Sequence, residues 1–275
     1  MLGKMLQSNF TGNFHNGEFN LVTAGDKIRK ESLVELKSLT GWFDLMYGTT
    51  IIVIGGWAVF SYNPHLGSFD IDCIGPRDPF YAQLDLYMAS HGYELVNRDQ
   101  IGLTKFFVKR VLEENSYIGD IHIDACSFED ENCFKEDNTK RLPYGLCAKS
   151  EYINRREING ASIWVPKKEL LFLYKLKALR DRSWVLANEQ LTAEEKNYFQ
   201  GKIDKDKMDL LALLDPRHGP LDPVIIFDII NQFDLIFATD TIKNLPNEQD
   251  TIQKYGEKRQ EVDVWVGRIR ESLDI

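Results

Sequence analysis

Apolar residues recur at helical spacing over residues 26–47, where Ile28, Leu33, Leu36, Leu39, Phe43, Leu45 and Met46 fall close to one face. That spacing predicts a helix ending near Gly48. Residues 7–20, rich in Asn, Gly and Phe without a period, read as an irregular arm before it. The pattern then shortens. Residues 51–54 form a β-branched run stopped by Gly55-Gly56, the mark of a buried strand. Residues 57–61 begin a helix that Asn63-Pro64 breaks. Residues 69–74 alternate apolar and acidic positions, so Asp70 and Asp72 share one face of a half-buried strand.

Residues 79–91 return to helical spacing, with Gly92 as the stop. Residues 103–112 read as a strand carrying Lys105, Phe107 and Lys109 on one side, and residues 118–128 as another. Asn159-Gly160 predicts a type I′ hairpin between two short strands. After Pro166 the strand signals stop, and residues 168–184, 193–200, 205–214, 223–233 and 250–273 all read as helices. The expectation is an α+β chain, with a small mixed β-sheet core flanked by helices and then an all-helical C-terminal domain. The boundary falls near 165, dividing the chain into 1–165 and 166–275.

Composition adds little to this picture and charge adds more. With 43% hydrophobic and 27% charged residues, the 275-residue chain has the make-up of an ordinary globular protein. No apolar run approaches the ~20 residues of a membrane span. The start of the chain turns polar too early for a signal peptide, so the expected setting is cytoplasmic, with no membrane partner. Cysteines 73, 126, 133 and 147 have neither C-x-x-C spacing nor a nearby histidine pattern, and read as reduced thiols packed as small hydrophobes. The net charge of −9 disfavours a general nucleic-acid coat. Residues 149–182, however, hold nine Lys/Arg against four acids, or +5, which leaves −14 for the remainder. A basic band on an acidic body suits a local anionic ligand such as a triphosphate.

Three features bear chemistry together. Gly55-Gly56 between a strand and a helix start lets a backbone approach a phosphate closely. Asp70 and Asp72, two residues apart on a strand, raise each other's pKa unless a cation neutralises them, and such oxygen pairs suit Mg²⁺. Asp124 sits mid-strand among apolar neighbours, where an unpaired carboxylate is costly. Beside the Asp70/Asp72 strand it would complete a three-carboxylate cluster, with His122 on the same face and Asp120 at the strand's start. Each feature alone has a plain structural explanation: a turn, solvated acids, a packed histidine.

In combination and order these residues resemble the nucleotidyltransferase superfamily (DNA polymerase beta-like): Gly-Gly, a spacer, Asp-hydrophobic-Asp, and a later carboxylate on a strand. Ser68, two positions before Asp70, also fits; Leu66 departs, standing where many relatives carry an Arg. Residues 170–182 resemble the K-L-x-A-L-x-x-R helix of the AbiEii/AbiGii toxin branch, and residues 205–210 its later K-D-x-x-D-L helix. The resemblance spans roughly residues 50–215.

The resemblance implies an enzyme that transfers an NMP from an NTP to an acceptor and releases pyrophosphate. It implies Mg²⁺ or Mn²⁺ on Asp70, Asp72 and Asp124, with Lys175 and Lys205 neutralising the leaving group. Gly55, Gly56 and Ser68 would cradle the phosphates, with Arg182 and Asp209 supporting the nucleotide site. Acceptors in this superfamily include tRNA, proteins and antibiotics, and the toxin branch implies tRNA or protein and an antitoxin partner. A transferase acting on an antibiotic or metabolite, and a non-catalytic nucleotide-binding module of the same fold, remain the alternatives.

Overall fold

The computed structural model describes residues 18–45, 50–98 and 103–273. The expected irregular arm at 7–17, the helix stop at Gly48 and Met46 lie outside them. Helix α1 (Glu18–Asp44) leads to strand β1 (Ile52–Ile54), α2 (Gly55–Tyr62), β2 (Ile71–Gly75) and α3 (Arg77–Ser90). Three strands follow, β3 (Glu94–Arg98), β4 (Thr104–Glu113) and β5 (Ser116–Ser127), and then the hairpin β6 (Ile153–Ile158) and β7 (Ala161–Pro166). The remaining helices are α4 (Lys168–Asn188), α5 (Ala193–Leu214), α6 (Pro223–Phe233), α7 (Asp240–Asn244), α8 (Gln249–Tyr255) and α9 (Arg259–Leu273). The chain is therefore α+β, a mixed sheet followed by helices, as its patterning predicts.

The sheet order is β3-β4-β5-β2-β1-β7-β6. All of β1 is buried at its centre, antiparallel to β2 and parallel to β7, which is why it reads as an unbroken β-branched run. One face of the sheet takes α1 and α3. Lys105 on β4 reaches Asp85 of α3 at 2.6 Å, and Lys109 pairs with Glu35 of α1. The Lys105/Phe107/Lys109 side is thus the helix-covered face, and its lysines are counter-charged there rather than solvated. Buried Leu36, Leu39 and Phe43 bring α1 onto the same layer, and the Trp57 indole donates to Ser32 Oγ at 3.0 Å, fixing α2 to α1. The hairpin turns through Asn159 (φ 46°) and Gly160 (φ 82°), the left-handed pair a type I′ turn requires.

Four sequence expectations are corrected. Residues 18–20, read as irregular, are the first of α1. Strand β3, unmarked in the sequence, is an edge strand whose Leu95 and Val96 are exposed, so it carries no in–out alternation. Residues 193–200 and 205–214 are one helix: Thr192 and Glu195 form a capping box at its start, and Gly201 lies in its interior. Residues 250–273 are two helices, α8 and α9, separated at Gly256 (φ 90°).

In α4 the run from Lys168 to Lys177 is buried on every side, so the helix is a core element rather than an amphipathic cover. A single hydrophobic cluster runs from the sheet through α4 and α5 to α9. Much of the expected basic band is counter-charged within this arrangement. Lys175 and Arg182 pair with Asp206, Lys177 with Asp181, Arg180 with Glu136 at 2.6 Å and Arg155 with Asp44 at 3.2 Å. All four cysteines are free; Cys73 and Cys147 are buried, whereas Cys133 is exposed and so is not the packed thiol expected of it. Among the described residues no helix is long and apolar enough to cross a membrane.

Candidate active site

The sheet face opposite α1 and α3 carries the acidic positions. Strands β2 and β5 run parallel, and Asp72 pairs in register with Asp124. Period-2 alternation puts His122 on that face as well, where the Phe106 ring of β4 meets it edge-on at 5.2 Å. Across β1 the register partner of Asp72 is Ile54, so Asp72 lies against Gly55. A Cβ on Gly55, whose φ is +66°, would overlap the Asp72 carboxylate. Only glycine combines that backbone with that approach.

Gly56 serves a second contact. A Cβ there would meet Lys205 Nζ at 2.6 Å and Ser68 Oγ at 2.8 Å, so the start of α2, buried Ser68 and the α5 lysine converge on one point. Backbone N–H groups at a helix start together with a hydroxyl and an ammonium form an anion cradle. Beside it opens a cavity of about 490 Å³, lined by Ser68, Asp70, Tyr198, Lys202 and Lys205 among others. Arg29 of α1 also lines it and lies over the Phe69 ring at 5.5 Å.

Helices α4 and α5 supply the cations and a buried counter-charge. Asp209 is fully buried; Lys175 Nζ stands 2.7 Å and Lys205 Nζ 3.3 Å from its Oδ2, and His65 Nε2 is 3.4 Å from its Oδ1. Burial works against the Asp209 charge, but Lys175 and Lys205 outweigh it and hold the carboxyl far below the usual range. Lys205 and Asp209 are therefore not a solvated surface pair. Lys175 and Arg182, seven residues apart on α4, both reach Asp206 and so turn to α5 rather than to an open phosphate site. Burial, followed by the nearby Lys175 and Lys202 charges, pushes Lys205 below its ordinary value.

The three acids have unequal surroundings. Asp72 is pushed up by burial and then by the Asp70 charge. Asp124 is pushed up to about 8 by burial and then by Asp72 and Asp70. Asp70 goes the other way: burial opposes its ionisation, but Lys202, which pairs with it, and His122, 3.5 Å from its Oδ1, hold it below the usual range. Among the described residues no group of three or more His, Cys, Asp or Glu is placed to hold a metal ion. Asp72 and Asp124 come together, whereas Asp70 is engaged by Lys202. The oxygen donors still fit a hard divalent cation by chemistry, Asp72 and Asp124 being paired between β2 and β5, although Asp70, expected on the strand, lies one residue before β2. A half-buried carboxylate such as Asp124, whose proton affinity neighbouring acids raise, is the condition a cation relieves.

Sequence reasoning assigned no role to Lys202, Asp206, His65 or Arg29. Lys202 lies three residues before Lys205 and shares its face only because 193–214 is one helix, which the chain's patterning divides between 200 and 205. Asp206, His65 and Arg29 join the site only through packing between separate elements. Asp120 is not simply solvated: Tyr117 donates to its Oδ2 at 2.8 Å, while its Oδ1 is buried without a hydrogen-bond partner.

Two solved structures that resemble this one do so at low identity. One is an antigenic nucleotidyltransferase-like protein from Paracoccidioides brasiliensis, 12% identical, covering 82% of this chain and 92% of its own with a TM-score of 0.46. Another is the antibiotic-resistance factor ANT(2'')-Ia, 14% identical, covering 66% of this chain and 90% of its own with a TM-score of 0.37. No family model matches the chain, and no curated protein matches it.

Proposed function

We propose that this protein is a nucleotidyltransferase that moves an NMP from an NTP to an acceptor hydroxyl. The observation that carries the reading is the in-register pair Asp72 and Asp124, standing next to the Gly56–Ser68–Lys205 cradle. Asp70, Asp72 and Asp124 would hold Mg²⁺ or Mn²⁺, which supplies charge neutralisation at the attacking and leaving oxygens. The acceptor oxygen forms a bond to the α-phosphorus as the α–β anhydride bond breaks. The hydroxyl proton passes to Asp124, and pyrophosphate leaves toward Ser68, the α2 start and Lys205. Asp209, too deep to touch a nucleotide, positions Lys205; Lys175 acts through the same buried carboxylate, and Arg182 through Asp206.

Residues 1–165 are on this reading the catalytic part and 166–275 the helical part that lends it lysines. A toxin-like role beside an antitoxin, with tRNA or a protein as acceptor, is the finer form of the proposal. Neutralisation of much of the basic band within the fold favours a protein or small acceptor over extended RNA contact. Incubating the chain with α-labelled NTPs and, separately, total tRNA, its own polypeptide and aminoglycosides tests both levels. Label transfer is expected with one acceptor class and is lost in Asp72→Asn and Asp124→Asn proteins of unchanged circular dichroism. Transfer that persists in both variants overturns the site, and the absence of transfer to any acceptor despite Mg²⁺-dependent nucleotide binding favours a binding module.

A further inference from the structure

Lys202 lies one turn before Lys205 on α5, and its ammonium pairs with Asp70. The pair is neither sealed nor free: the Asp70 side chain is 20% exposed and that of Lys202 27%. Lys202 also lines the cavity beside Ser68 and Lys205, with the Tyr198 ring 5.6 Å from its Nζ. Its ammonium thus stands on the border between the carboxylates and the space where phosphates would lie. A lysine tip on a flexible four-carbon stem can serve both sides without backbone movement. Sharing Asp70 with a divalent cation sets two positive charges against one carboxylate at short range in a partly dry site, which weakens the hold of Lys202 on it.

We propose that Lys202 is an exchangeable internal counter-ion. It holds Asp70 in the nucleotide-free chain, then passes to a phosphate of the incoming nucleotide when a divalent cation takes Asp70. The idea rests on the reading above that Asp70, Asp72 and Asp124 receive a cation together with an NTP. Its consequence is thermodynamic: nucleotide and cation each strengthen the binding of the other through one ammonium.

The test is Mn²⁺ binding to the full chain, read as free Mn²⁺ by electron paramagnetic resonance, with and without the α,β-methylene analogue of ATP. Without nucleotide, Lys202→Met is expected to bind Mn²⁺ about fivefold or more tightly than the wild type, the lower range of ordinary coupling. Lys205→Met removes the same charge from the neighbourhood of Asp70 without breaking its ion pair, and is expected to raise affinity clearly less than Lys202→Met does. The gain in Mn²⁺ affinity that the analogue brings to the wild type should shrink toward one in Lys202→Met and in Lys202→Gln. Equal shifts in Lys202→Met and Lys205→Met, or an undiminished gain in the Lys202 variants, overturn the exchange. If the wild type still transfers label in that case, nucleotidyl transfer stands and only the exchange fails. If the wild type binds no Mn²⁺ even with the analogue and transfers no label, the underlying reading falls and the exchange with it.

Discussion

Asp72 stands directly opposite Asp124 in the parallel pairing of β2 and β5, and the Asp72 carboxylate adds to the burial that already disfavours charge on Asp124. The consequence is a pH dependence of stability. An unfolded carboxylate titrates near 3.9, whereas Asp124 in the fold titrates at about 8. Between those values the folded state keeps a proton that the unfolded state has lost, so stability falls as pH rises from about 4 to about 8. Thermal melts in EDTA are expected to show a higher Tm at pH 5.5 than at pH 8, and Asp124→Asn should flatten that slope. A slope of opposite sign between those pH values, removed by the same variant, refutes the assignment.

Asp209 is the opposite case, a buried acid whose charge is demanded by its neighbours. Asp209→Asn leaves Lys175, itself only 7% exposed, without its nearest counter-charge. Breaking a buried pair from one side typically costs about 3–5 kcal/mol. Urea unfolding should show a loss in that range, with Lys175→Met/Asp209→Leu recovering much of it. A loss below ~1 kcal/mol, the level of surface pairs, means the pair is worth no more than a solvated one.

Gly55 and Gly56 fail differently when given a methyl group. Gly55→Ala meets both a positive φ and the Asp72 carboxylate, so it should destabilise the fold by at least ~1–2 kcal/mol, the usual left-handed penalty. Gly56→Ala, at an ordinary helical backbone, meets the flexible tip of Lys205 and the Ser68 hydroxyl and Cβ, so it should destabilise the fold less than Gly55→Ala while weakening nucleotide binding. Calorimetric titration of the α,β-methylene ATP analogue separates the two, and wild-type affinity in Gly56→Ala dismisses the cradle.

Lys205→Met should lower kcat/KM by about 10–100-fold, the scale of one charge-assisted contact to a phosphate. Since Lys205 also faces Asp209, its loss should raise KM for the NTP together with the fall in kcat. Steady-state kinetics with the best acceptor decides this, and an unchanged KM places Lys205 away from the triphosphate.

The sequence was most legible where a residue's role is set by its immediate neighbours. The β-branched run of β1, the alternation that places Asp72 within β2, the Asn159-Gly160 turn and the helical character of the chain after Pro166 all follow from local steric and periodic rules. It was least legible where burial is shared between distant segments. The edge strand β3 lacks alternation because neither side of it enters the core, and the unity of α5 across Gly201 depends on packing against α4.

By itself, then, the sequence determined the α+β order and the alternation that sets Asp72 on one face of its strand and Asp124 on one face of another, because strand period and glycine conformational freedom act within a few residues. Only the tertiary structure decided which acids meet and which cations neutralise them. Asp124 joins Asp72 through a parallel pairing across 52 residues of sequence, and Asp70 is claimed by Lys202 from a helix in the other half. Charges in a buried site are balanced by whatever packing brings within a few ångströms, and no local rule along the chain encodes that distance.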